Sequence, residues 1–237
     1  MARPQRLFLP GHPHHVIQRG HNGGAIFLDD EDRHSYLRHL GEVARESRVA
    51  VHAYALRDDR VHLLLTPQAE GAISRMMQAL GRRYVVAFNQ RHGRSGTLWA
   101  GRFISHLVDE AAVLDCQCYI ETGGGAIEGG EASASRWSSA AHHLGSRHDP
   151  LITPHRMVWA LGNTPFEREA AYRARLQQGL PAATTLAIEQ AMRHGLLLGD
   201  PTARRALERE LHRPLAPRPR GRPPGSGVKP VADSGTN

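Results

Sequence analysis

Hydrophobic positions in the first half of the chain switch repeatedly between a period of two and a period near 3.6. His14 to Arg19 (HHVIQR) reads as a strand running into the turn-forming GHNGG of Gly20 to Gly24. Tyr36, Leu37, Leu40, Val43 and Ala44 then share one helical stripe through about residue 47, with Asp29 or Asp30 placed to cap it. Period two returns in Val49 to Leu56 and Val61 to Leu65, and Arg57, Asp58 and Asp59 between them suit a tight hairpin connection. Residues 71 to 91 form the clearest amphipathic helix, with Ile73, Met76, Met77, Leu80, Tyr84, Ala87 and Phe88 on one face. After the turn RHGRSG, Leu98 to Val108 is expected as a strand and about Asp109 to Glu121 as a short helix. The order βαββαβ plus a helix predicts an α+β fold of the ferredoxin-like type. In that fold helices cover one face of an antiparallel sheet and leave the other open to a ligand.

The pattern divides the chain into four parts. Residues 1–122 make the folded domain. Residues 123–150 are a connection, because GGGAIEGGEASAS at Gly123 to Ser135 is too poor in side chains to pack. Residues 151–212 form a helical appendage. Thr164, Pro165 and Glu167 start its first helix with a capping box, and further helices are expected near 182–195 and 201–211. The last part, 213–237, is rich in Pro, Arg and Gly and is expected to be disordered when free.

Charge changes this picture by naming a partner. The 237 residues carry 30 Lys+Arg against 23 Asp+Glu, a net +7, with 16 His able to add more as pH falls. A polyanion is the natural counterpart. Lys229 is the only lysine, so the positive groups are planar forks suited to phosphate or guanine, although GC-rich coding DNA also favours arginine codons. Two cysteines, Cys116 and Cys118, fit a reducing compartment and exclude a disulfide scaffold or a cysteine zinc finger. No apolar run approaches the ~18 to 20 residues of a membrane span, and no signal-type stretch opens the chain. These features predict a cytoplasmic, nucleoid-associated protein with no membrane partner.

Candidate chemistry falls in three places. On the strand RVHLLL, Arg60 and His62 point to one face and Val61 and Leu63 to the other. Two histidines at that spacing would be a metal pair, and here one position is arginine. Tyr119, in CQCYIE, carries a phenol that can attack phosphorus as a covalent nucleophile when directed over the sheet, although most helix tyrosines simply pack. Arg82, Arg83, Arg91, Arg94 and Arg102, interleaved with Tyr84, Phe88 and Trp99, are the mixture that single-strand binders use for backbone contact and base stacking, and Arg19 ends the first strand. The same mixture also describes a helix with solvated arginines and core aromatics. Near the carboxyl end, Pro219-Arg220-Gly221-Arg222-Pro223 has the form of an AT-hook, in which Arg220 and Arg222 would enter a narrow minor groove.

Taken in order, PGHPHHVIQRG, DDEDRHSYL, HAYAL, VHLLLTP, ISRMMQALGRRYVVAFNQRHGRSGTLWAGRF, YIE, RWSS, DPLITPH and PRGRPP resemble the REP-associated tyrosine transposases, a branch of the single-tyrosine HUH superfamily. The resemblance covers roughly residues 10 to 224 and implies a ferredoxin-like fold acting on single-stranded or hairpin DNA. It implies Tyr119 as nucleophile, forming a 5′-phosphotyrosine link, and Mg²⁺ or Mn²⁺ on a His-apolar-His pair. A homodimer is compatible with it.

The chain departs from that pattern at the chemistry. Arg60 stands where the first histidine of the pair is expected, and a guanidinium has no lone pair for a metal. Gly123 stands one turn after Tyr119, where the resemblance implies a polar ligand. Three readings follow: a transposase using His62 with Asp59 or His52, or Arg60 directly on phosphate; a relic that binds DNA without cutting; and a regulatory module acting through the tail.

Overall fold

A computed structural model describes residues 8–123 and 136–211. Strand β1 (His14–Arg19) leads through a 3₁₀ turn to helix α1 (Asp30–Ser47), followed by β2 (Val49–Arg57), β3 (Arg60–Pro67), α2 (Ala72–Arg91), β4 (Ile104–Leu107) and α3 (Val113–Thr122). Asp29 caps α1 by accepting from the Asp32 N–H. The four strands order as β2-β3-β1-β4 and every pairing is antiparallel. That is the ferredoxin-like arrangement, so the α+β expectation holds.

Side-chain alternation sorts the sheet into two faces. Val16, Val61, Leu63 and Leu65 point towards α1 and α2, where they meet Tyr36, Leu40, Ile73, Met76, Leu80, Tyr84 and Phe88 in the main core. Ala53, Ala55 and Leu64 point the other way. The pattern predicts that second face to be open, but α3 crosses it instead. The small side chains of Ala53 and Ala55 let the helix come close, and Val113, Cys116, Tyr119 and Ile120 pack down on the sheet.

The remaining helices are α4 (Ala140–His143), α5 (Arg156–Trp159), α6 (Pro165–Gln178), α7 (Ala182–His194) and α8 (Pro201–Leu211). The capping box at Thr164 and Glu167 forms as the spacing requires. Ile188 and Ala191 of α7 join the core beneath α3, so the appendage shares its packing with the domain. Of the expected connection, residues 124–135 lie outside the described residues, and the part from 136 on begins against β2. The Trp137 carbonyl accepts from Leu56 N–H and the Ser139 N–H donates to Tyr54 O, covering the outer edge of β2. Leu198 does the same beside β4, accepting from Asp109 N–H and donating to Leu107 O. The outer edge of β2 is thereby covered, and that of β4 at its Leu107 end.

Two expected boundaries shift. β4 is only four residues long, because Gly96 and Gly101 take positive φ and only an isolated bridge from Gly20 to Trp99 continues the pairing. The helix expected from Asp109 begins as a 3₁₀ turn and becomes α-helical at Val113. Residues 213–237, with Arg220 and Arg222, lie outside the described residues. Among the described residues no helix is long and apolar enough to cross a membrane.

Gly20 is the tightest point at this end of the sheet. A Cβ there would lie 2.1 Å from Gly24 O and 2.9 Å from Ile26 Cγ2. Gly20→Ala is therefore expected to cost about 1–3 kcal/mol through overpacking and to lower the thermal midpoint by several degrees. An unchanged midpoint would contradict this close approach.

Candidate nucleic-acid site beside Tyr119

Strand register makes the site. Arg19 of β1 lies opposite Arg60 of β3, and Arg60 lies opposite Arg57 of β2, so three arginines form one row across three neighbouring strands. The next row inward places Ile17, His62 and Ala55 side by side. Like charges opposite one another destabilise a sheet. Asp59 offsets part of this charge: Arg60 donates through Nε and Nη2 to both Asp59 oxygens, at 2.9 and 2.8 Å. Arg57 Nη2 is buried and has no hydrogen-bond partner among the described residues.

Helix α3 brings Tyr119 over this face. The residue is 8 % exposed, with its ring centroid 6.4 Å from that of His62 and 6.2 Å from that of His15. Tyrosine and histidine thus meet within one chain. Burial pushes the phenol above its ordinary pKa, as does Glu189 of α7, while Arg60 and Arg19 pull it down.

The histidine is oriented from behind. His106 Nδ1 is 3.2 Å from Leu107 O, and a carbonyl only accepts, so that nitrogen carries the hydrogen. His106 Nε2 must then accept from His15 Nδ1 at 3.0 Å, and His15 Nε2 must accept from His62 Nδ1, also at 3.0 Å. For three neutral rings this leaves His62 Nε2 with its lone pair unprotonated. The rings are held neutral by their surroundings. Burial, with the charges of Arg57, Arg60 and Arg19, lowers His62 to about 3, and burial lowers His106 to about 4. His15 is driven well down by burial and its two histidine neighbours. His15, His106 and Arg57 were not legible as site residues in the sequence, although Arg57 could have been found by writing out the hairpin register.

The site does not fit the divalent ion that a His-apolar-His pair would hold. His62 offers one lone pair. Arg60 offers none, the Asp59 carboxylate is taken by Arg60, and the positive charge of three guanidiniums surrounds the position. His52 is elsewhere: it sits at the β2 bulge, with Nδ1 on Thr153 O at 2.7 Å and Nε2 on Thr66 Oγ1 at 2.8 Å. Gly123 caps α3 in the left-handed conformation, φ 77°, and its N–H donates to Tyr119 O. A Cβ at 123 would come within 3.0 Å of Arg57 Nη2, so the guanidinium occupies the space a ligand side chain would need. Among the described residues no group of three or more His, Cys, Asp or Glu could hold a metal.

The other arginines singled out in the sequence are placed differently. Arg82, Arg83 and Arg91 lie on α2, in the layer on the far side of the sheet from Tyr119. Arg83 pairs with Glu42 and Glu46 of α1, and Arg91 with Asp29 and the buried Asp32. Arg94 lies over the Phe88 ring, and Arg102 is exposed in the loop before β4.

Glu121, two residues after Tyr119, ties this helix to the rest of the chain. It is fully buried and accepts from Ser139 Oγ at 2.5 Å, His143 Nδ1 at 2.7 Å and Tyr172 Oη at 2.7 Å. One carboxylate therefore joins α3 to α6 and to the segment that covers β2.

Residues 12–123 match the family model of IS200-like transposases. No curated protein matches. Among solved structures, a REP-associated tyrosine transposase bound to a REP hairpin is 15 % identical, with TM-score 0.48, over 65 % of this chain and 92 % of that one. A Deinococcus radiodurans R1 protein assigned to the transposases is 27 % identical, with TM-score 0.36, over 51 % of this chain and 96 % of that one.

Two outcomes are expected. Glu121→Ala takes the carboxylate acceptor from His143, Tyr172 and Ser139, of which Ser139 keeps Tyr54 O, and should cost about 3–5 kcal/mol in urea unfolding. It should also expose residues 136–178 to proteolysis before α1 and α2, whereas a uniform cleavage pattern would contradict the clasp. The lowered histidines give stability a definite pH sense. Their unfolded forms bind protons below about pH 6.5 while the folded forms do not. Stability should therefore fall as pH drops from about 6.5 towards 4, by up to about 1.4 kcal/mol per pH unit for each such histidine. His106→Asn should flatten that slope; an unaltered slope would show that His106 is not held neutral.

Proposed function

We propose that this chain binds single-stranded or hairpin DNA on the face carrying Tyr119, as a member of the REP-associated branch of the tyrosine transposases whose metal-dependent cutting has been lost. The observation that carries the reading is the convergence at one end of the sheet of Tyr119, His62 and three aligned arginines. A DNA backbone brings phosphates to such a row, and unpaired bases can stack on neighbouring aromatic rings. The domain is taken as 1–122, followed by the connecting segment, the helical appendage and the basic tail. The tail, with Arg220 and Arg222, adds an AT-hook-like contact in a narrow, A·T-rich minor groove.

Two features favour loss of cutting. The phenol of Tyr119 is buried and held protonated, and the position beside His62 that would hold Mg²⁺ or Mn²⁺ is occupied by guanidinium charge. One observation favours a second reading, in which the chain still cuts: Arg60 and Arg19 ease ionisation of Tyr119 and could meet charge developing on phosphorus.

The two readings separate in one assay. The protein is incubated with labelled hairpin DNA and Mn²⁺, then denatured and resolved by electrophoresis. Binding without a denaturation-resistant adduct is expected; an adduct that disappears in Tyr119→Phe would establish cutting. Arg60→His should raise Mn²⁺ affinity in calorimetry, since His62 Nε2 keeps its lone pair and Asp59 is released. No rise would mean that more than one substitution separates this face from a metal site.

A further inference from the structure

From the register we infer that Arg19, Arg57 and Arg60 form a phosphate clamp at the position where relatives by sequence resemblance hold a cation. DNA binding at this face is then independent of any metal. The inference rests on the reading of the Tyr119 face as the DNA-binding face and specifies its chemistry.

Several features carry it together. The row runs across three consecutive strands, so its spacing is fixed by the sheet and not by flexible loops. Its side is set by alternation: His15, Ile17 and Arg19 on β1, His62 and Arg60 on β3, and Ala53, Ala55 and Arg57 on β2 all point towards α3. Arg57 brings to the row a buried Nη2 with no hydrogen-bond partner among the described residues, a donor whose desolvation an arriving acceptor would compensate. The glycine at 123 leaves room for that guanidinium, and a side chain there would press on it at 3.0 Å. The two departures from the metal-binding pattern, Arg60 and Gly123, therefore serve one end: the first adds a fork to the row and the second accommodates its neighbour. Negative charge near the row comes from Asp59, held by Arg60, and from Glu189 facing Tyr119. Three cations against these two leave the row positive. A tetrahedral phosphate matches forked donors better than any cation could.

The row also differs from a structural ion-pair network in its expected cost. Three like charges across a sheet oppose folding, so neutralising one should leave stability unchanged or raise it while weakening DNA binding. The experiment measures hairpin DNA carrying a single-stranded extension by fluorescence anisotropy in EDTA, over a range of salt, for the full chain and for Arg19→Gln, Arg57→Gln and Arg60→Gln. Thermal unfolding of the same samples is followed in parallel. The expected result is that the full chain binds in EDTA. Each variant should lose about tenfold in affinity, and its plot of log affinity against log salt should be shallower by about 0.7 per arginine, with no fall in midpoint temperature. Arg57→Lys should keep the salt slope but not the affinity.

If the full chain binds and the variants match it in affinity and slope, the clamp is wrong while DNA binding stands. Binding abolished by EDTA and restored by Mn²⁺ would overturn the clamp in favour of a metal site. A midpoint that falls in step with affinity would make the row structural and also overturn it. No binding by the full chain at any salt would remove the DNA-binding reading and the clamp together.

Discussion

The buried carboxylate of Glu121 is the constraint on which the Tyr119 face depends. A charge with no solvent exposure is tolerable only when its lone pairs are filled, and three side chains from two later parts of the chain fill them. That requirement fixes the rotation of α3. With Glu121 and Cys118 turned towards α4 and α6, the opposite side of the helix must carry Cys116, Tyr119 and Ile120 onto the sheet. The phenol is therefore placed by a polar contact on the far side of its own helix. The segment at Trp137 to Ser139, which seals β2, is tied to the same carboxylate through Ser139.

From that placement the electrostatics of the face follow. A neutral chain of three histidines sits under the tyrosine, anchored by one backbone carbonyl, and a row of three arginines ends the sheet beside it. Cation-binding and anion-binding sites need opposite things from the same space: lone pairs in one case, N–H donors in the other. With Arg60 in the row and Gly123 yielding to Arg57, donors outnumber lone pairs. Such a face suits a phosphate backbone and is poorly suited to a bare divalent ion.

Much of the architecture was legible from hydrophobic period alone, because long amphipathic stretches such as Tyr36 to Ala44 and Ile73 to Phe88 have one way to bury their stripes. The strand pair Val49 to Leu56 and Val61 to Leu65 was equally plain. The site was legible only in part. His62 and Tyr119 announce themselves by residue type, and motif likeness pointed to Arg60 and Gly123. His15 meets His106 and His62, 91 and 47 residues away in the chain, which no local pattern reports, whereas Arg57 is readable from the hairpin register. Composition does not distinguish a solvated guanidinium from a paired one, and in the fold Arg83 meets Glu46 and Arg91 meets Asp32. The stretches RWSS and DPLITPH carried likeness without an evident purpose. In the fold they clasp β2, through Trp137 and Ser139 on its edge and through Asp149 accepting from Tyr54 Oη at 2.6 Å.

The central claim is that DNA meets this chain through the arginine row beside Tyr119 and without a metal. It is tested most directly by nitrogen-15 NMR of the arginine side chains during titration with hairpin DNA in EDTA. The Nε signals of Arg19, Arg57 and Arg60 should shift and broaden together, while those of Arg83 and Arg91 stay in place. Shifts confined to the α2 arginines, with the row unmoved, would contradict the claim.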